Sequence, residues 1–137
     1  MKGILAAVAL LAATAAGAAA PKPQWVRVGS HHGQPVEVDK ASIRTLGAVT
    51  RGWWRVALAE PRTDGAVQEK QLEAVDCGAR LSSSLALVTL DAEGRVLSDL
   101  REPESAALAR LAPATPGTTG EMVADAICRL RPRPKRR

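Results

Sequence analysis

Few side chains in this sequence could do chemistry. His31 and His32 are its only two histidines, and imidazole is the commonest metal ligand among side chains. Two adjacent imidazoles can hold a metal, yet no third ligand stands at a telling spacing, so the pair reads as solvated loop residues and no metal site is expected. Serines occur, but none lies in Gly-x-Ser-x-Gly and none has a marked acid or base partner, so no catalytic residue is assigned. Cys77 and Cys128 are not arranged as Cys-x-x-Cys, which argues against dithiol redox work. No cofactor is expected, and the chain reads as non-enzymatic.

The two cysteines have a second use. In an oxidising compartment an even count favours one bridge, and two buried free thiols are the alternative. A loop of fifty-one positions, once closed, would contribute about 4 kcal/mol by chain entropy. Trp53-Trp54 offers a different kind of surface. In a strand the two indoles point to opposite faces. Trp54, with Val56 and Leu58, is expected in the core. Trp53 either lies beneath a C-terminal helix or forms a ligand platform, and packing is the favoured reading.

Charge is unevenly placed. The formal net charge is +5, but Arg129, Arg131, Arg133, Lys135, Arg136 and Arg137 crowd the end of the chain. Between Pro21 and Cys128 twelve basic residues face fourteen acidic ones, so the domain itself is nearly neutral. The tail reads as a solvated, disordered charge run. Contact with an anionic membrane surface is its alternative role. Tyr and Phe are absent, which removes most stacking platforms, and no nucleic-acid partner is expected.

The start of the chain explains the compartment. Lys2 precedes an uncharged stretch from Gly3 to Ala20, apolar at Ile4–Leu11 and then small up to Pro21. This is the pattern of a secretory signal, with cleavage expected after Ala18 or Ala19. A retained anchor is the rival reading, but the Ala-rich second half inserts poorly. No cysteine closes the apolar run to carry a lipid. The expected organisation is a signal peptide over 1–19, one domain over 20–130 and a basic disordered tail over 131–137. The protein is thus expected to be exported, periplasmic, and outer-membrane associated or at the cell surface.

The elements that must position these residues follow from periodicity. Gln24–Val28 alternates and reads as a strand. Gly29–Pro35 is dense in turn formers and reads as a loop. A short strand at Val36–Val38 precedes a helical turn capped by Asp39. Val49–Leu58, the polar stretch Ala66–Cys77, and Arg80–Leu90 follow as strands. The polar stretch suits an edge position or one side open to water. Asp91–Gly94 is a hairpin turn leading to Arg95–Leu100. Pro103–Leu111 reads as a short helix. Thr118 to Glu121 has capping-box spacing, opening a helix with Met122, Val123, Ala126, Ile127 and Leu130 in one stripe. Cys128 falls nearly opposite that stripe. A bond to Cys77 then needs either a frayed helix end or a strand turn that reaches round its back.

Several markers stand together in order: Trp25, Asp39-Lys40-Ala41-Ser42-Ile43, Trp53-Trp54, Asp76-Cys77, Pro116-Gly117-Thr118 and Ile127-Cys128. In this the chain resembles the surface-adhesin protein E family of proteobacterial envelope proteins, from Trp25 to Cys128. The resemblance implies an α+β fold: a twisted antiparallel sheet of five or six strands, with a C-terminal helix held to one face by a Cys77–Cys128 disulfide. It also implies a protein-binding role toward an unidentified partner. The chain departs from the family's adhesin in lacking a lipid-bearing cysteine and in its Ala/Leu-rich Pro103–Leu111 segment. An alternative from another class is a periplasmic inhibitor of a cell-wall hydrolase, with Gly29–Pro35 as its protruding loop.

Overall fold

The computed structural model describes Gly17 and residues 21–136. Apart from Gly17, the expected signal segment 1–19 lies outside the described residues. Eight strands form one antiparallel sheet: β1 (Trp25–His31), β2 (Gln34–Asp39), β3 (Arg44–Leu46), β4 (Val49–Ala57), β5 (Gln68–Asp76), β6 (Leu81–Leu90), β7 (Val96–Arg101) and β8 (Ala112–Pro113). The main path runs β1-β2-β4-β5-β6-β7, with β3 paired to β4 and β8 to β6. The six main strands match the expected number; β3 and β8 are short additions. Helix α1 spans Glu104–Ala109 and α2 spans Thr119–Leu130.

Alternation on the strands creates two faces. On β4, Thr50, Gly52, Trp54 and Val56 are buried while the residues between them are half-exposed. Helix α2 covers this face. Its Val123, Ala126 and Ile127 pack against Val36, Val38, Ile43, Trp54 and Val56 to form the main core. Gly52 permits the close approach: a Cβ there would stand 3.2 Å from Ile127 Cγ1. The opposite face has a smaller core at one end, where Ala107 of α1 meets Ala74 and Leu85, with Val49, Leu72 and Leu108 around them.

Local chemistry sets the element ends. Asp39 caps a single 3-10 turn, Lys40–Ser42, by accepting from the Ala41 amide. Thr118 Oγ1 accepts from the Glu121 amide, and the Glu121 carboxylate accepts from the Gly117 amide. Cys77 and Cys128 are bonded, with Cα atoms 5.8 Å apart. Helix α2 continues past Cys128 to Leu130, so it does not fray; the turn that follows β5 carries Cys77 to the helix flank.

Two expectations need correction. Gly29–Pro35 is not an open loop. The strands run to His31 and resume at Gln34, joined by His32 (φ 48) and Gly33 (φ 76). Positive φ at both central residues is the type I′ turn, whose twist matches that of the flanking strands. The polar strand β5 is not an edge strand either, because it is paired with β4 and β6 along its length. Its polar side chains fall on both faces: Lys70 on the open one, and Glu69, Gln71 and Glu73 on the side of Trp54 and Val56.

Candidate cationic–aromatic binding face

The face turned away from α2 gathers side chains that the sequence leaves scattered. On β4, Arg51, Trp53 and Arg55 occupy alternate positions. Cross-strand register places Arg44 of β3 opposite Arg51, Lys70 of β5 opposite Arg55, and Leu72 opposite Trp53. Trp25 of β1 joins them: the Arg55 guanidinium lies 4.1 Å from its ring centroid, and Lys70 Nζ lies 5.5 Å away. The same Lys70 Nζ is 5.5 Å from the Trp53 ring, and Arg101 of β7 is 5.7 Å from it. Two indoles are thus interleaved with three cations. Each such contact contributes about 0.5–1 kcal/mol at an exposed site, so the rings by themselves hold the cations weakly.

Two cross-strand pairs here, Arg44–Arg51 and Arg55–Lys70, are of like charge. Directly opposed like charges destabilise a sheet. Acids relieve part of this: Glu37 Oε2 accepts from Arg55 Nε at 2.7 Å, Glu104 pairs with Arg51, and Asp99 pairs with Arg101 at 2.9 Å. Among the described residues Arg44 donates only to main-chain carbonyls, Ala41 at 3.0 Å and Ile43 at 2.8 Å. Lys70 forms no ion pair among the described residues. Arg51 Nε is buried and has no acceptor among them. A groove of about 430 Å³ runs past Trp53 between Arg44, Leu46, Arg51 and Leu72. The Asp39 carboxylate also lines it, but its Oδ1 is already occupied by the Gln24 and Ala41 amides.

Elsewhere the singled-out residues do other work. His31 Nδ1 lies 2.8 Å from Thr119 Oγ1, tying the β1–β2 hairpin to the start of α2. The His32 ring packs edge-on to it at 4.1 Å. Trp54 is the core indole, 7% exposed. Trp53 does not lie beneath the C-terminal helix; it is half-exposed on the other face, in the platform position. Beside Trp54, the Glu73 carboxyl is pushed up to about 7 by burial, an effect the indole N–H partly offsets. That N–H has no acceptor at full hydrogen-bonding geometry among the described residues; its influence on Glu73 is one of proximity. A wide depression of about 750 Å³ runs along the disulfide, where Arg80 and Asp125 pair with one another at 3.6 Å.

The profile of the surface-adhesin protein E family matches residues 25–129, from the tryptophan that opens β1 to the residue after the bridged Cys128. The chain belongs to the surface-adhesin protein E family. No curated protein matches it. Family membership makes it an adhesin-like surface protein and accounts for the order of markers read from the sequence. The comparison gives the hydrolase-inhibitor alternative no support, and its candidate loop, Gly29–Pro35, is a hairpin with a two-residue turn.

Sequence reasoning missed Trp25, Arg44, Arg51 and Lys70 as members of one surface. Part of the signal was present: Arg51-x-Trp53-x-Arg55 in a strand must display all three side chains on one face. Lys70 and Trp25 could not be added without the register of β5 and β1.

Proposed function

We propose that this protein is a non-enzymatic, surface-displayed binding domain that engages an external protein partner through the sheet face opposite α2. The like-charge pairs flanking Trp53 carry this reading. A sheet that needed only to fold would not oppose Arg44 to Arg51 and Arg55 to Lys70; departures from local rules concentrate at functional sites. Tryptophan and arginine are also the residues that most often dominate binding energy at interfaces.

In this reading residues 1–19 are removed on export, and the domain over 20–130 reaches the cell surface instead of remaining in the periplasm. The tail over 131–137 adds a second contact. Residues 131–136 are exposed and lack regular structure, and each arginine near an anionic membrane contributes about 1 kcal/mol.

Binding of the purified mature protein to surfaces coated with extracellular-matrix proteins tests the proposal. Trp53→Ala and Lys70→Glu should each reduce binding at least tenfold, while Arg80→Ala on the helix side should leave it unchanged. Equal binding by all three variants would refute the assignment of the face.

A further inference from the structure

The chemistry of the face specifies more than a generic partner. We infer that its ligand is an acidic polysaccharide, carried as glycan chains by the partner, whose anionic groups take up the cations on either side of Trp53. This rests on the binding-face reading above and goes on to name the ligand.

Three observations point this way. The first is spacing. Arg51 and Arg55 are four residues apart on one strand, about 13 Å, with Trp53 between them. The site is therefore an apolar ring flanked on both sides by cations, which complements a chain of apolar sugar faces carrying sulfate or carboxylate at intervals. The second is availability. Lys70 Nζ lies 5.5 Å from each of the two indoles and forms no ion pair among the described residues. An oxyanion offers such a cation a stronger partner than a ring does, and its withdrawal uncovers the indole. Arg51 Nε, buried without an acceptor, adds a donor beside the groove.

The third observation weighs against a peptide. Peptides that bind sheets usually add a strand to a free edge. Here β4 and β5, which carry Trp53 and Lys70 at the centre of the face, are hydrogen-bonded on both sides, and the free edges lie outward at β1 and β7, so a ligand over the centre meets side chains alone.

The test uses the whole mature chain, tail included, against immobilised heparin at physiological salt, with chemically desulfated heparin as the comparison. Wild type should bind heparin and lose at least tenfold on the desulfated form. Lys70→Glu and Trp53→Ala should each weaken heparin binding at least tenfold. A thermal melt of each variant confirms folding, and Lys70→Glu, a substitution on an open sheet face, keeps the test valid if Trp53→Ala unfolds. Neutralising the tail with Arg131→Gln, Arg133→Gln, Lys135→Gln, Arg136→Gln and Arg137→Gln should change affinity less than threefold. Loss of binding in the tail variant alone would overturn the inference, as would equal, Trp53-dependent binding of polyglutamate or a single-stranded DNA. Purified lipopolysaccharide, run in parallel, separates a bacterial from a host source of the same anionic sugar chemistry. If matrix proteins still bind through Lys70 after enzymatic deglycosylation, this inference fails and the binding face stands. If neither glycan nor protein binds, both fail.

Discussion

Replacing Glu73 by Gln should stabilise the protein above neutral pH and leave it unchanged in mild acid. Glu73 sits on the α2 side of β5, opposite Gly52 and Ser84 on the adjoining strands. Among the described residues no charge faces it closely enough to favour its ionised form; burial raises its pKa from 4.5 to about 7, and the Trp54 indole N–H acts the other way. In the unfolded chain the carboxyl returns to its ordinary range. Between those two values the native state holds the proton more tightly than the unfolded state, so stability falls as pH rises. The contribution is intact below about pH 4.5 and lost once pH passes about 7. At about 1.4 kcal/mol per tenfold change the full effect is about 3 kcal/mol, which partial exposure reduces to roughly 2 kcal/mol. Gln is close in shape to the protonated acid and never ionises. Thermal denaturation followed by circular dichroism should give a midpoint about 8 °C higher for Glu73→Gln at pH 8, and equal midpoints at pH 4.5. A gain of the same size at both pH values, or a loss at pH 8, would refute the reasoning.

Two other substitutions probe the packing. Cys77→Ser opens a loop of 51 residues, worth about 4 kcal/mol by chain entropy; the melting midpoint should fall by roughly 15 °C, and reductant should lower the wild type by a similar amount. An unchanged melting curve would mean that the bond does not hold α2 to the sheet. Gly52→Val places a side chain where a single Cβ already stands 3.2 Å from Ile127 Cγ1 and 3.3 Å from Ile43 Cγ1. Overpacking should cost about 2 kcal/mol, measured as a lower urea midpoint at constant slope; full stability would show that α2 can lift off the sheet without penalty.

How legible this was differed between fold and face. The strands of the main sheet, the Thr118 cap and the buried stripe of α2 could be read because each rests on local periodicity or a local hydrogen bond. The hairpin at His32-Gly33 could not. A histidine with positive φ is uncommon, so the turn formers around it suggested a loop longer than the two residues used. The role of Cys128 also needed three dimensions, because the helical wheel sets it off the buried stripe and only the β5–β6 turn explains how Cys77 reaches it. The cationic face was half legible. Alternation on β4 is a property of one strand, but the opposition of Lys70 to Arg55 and of Arg44 to Arg51 is a property of register, which depends on the turns and core contacts of the whole sheet.

Display at the cell surface is the claim on which the binding account rests. Protease treatment of intact cells, with the mature domain followed by mass spectrometry against an opened-cell control, tests it most directly. Peptides from Trp25 to Cys128 should be lost from intact cells while a periplasmic marker survives. A domain that persists until the outer membrane is breached would contradict it.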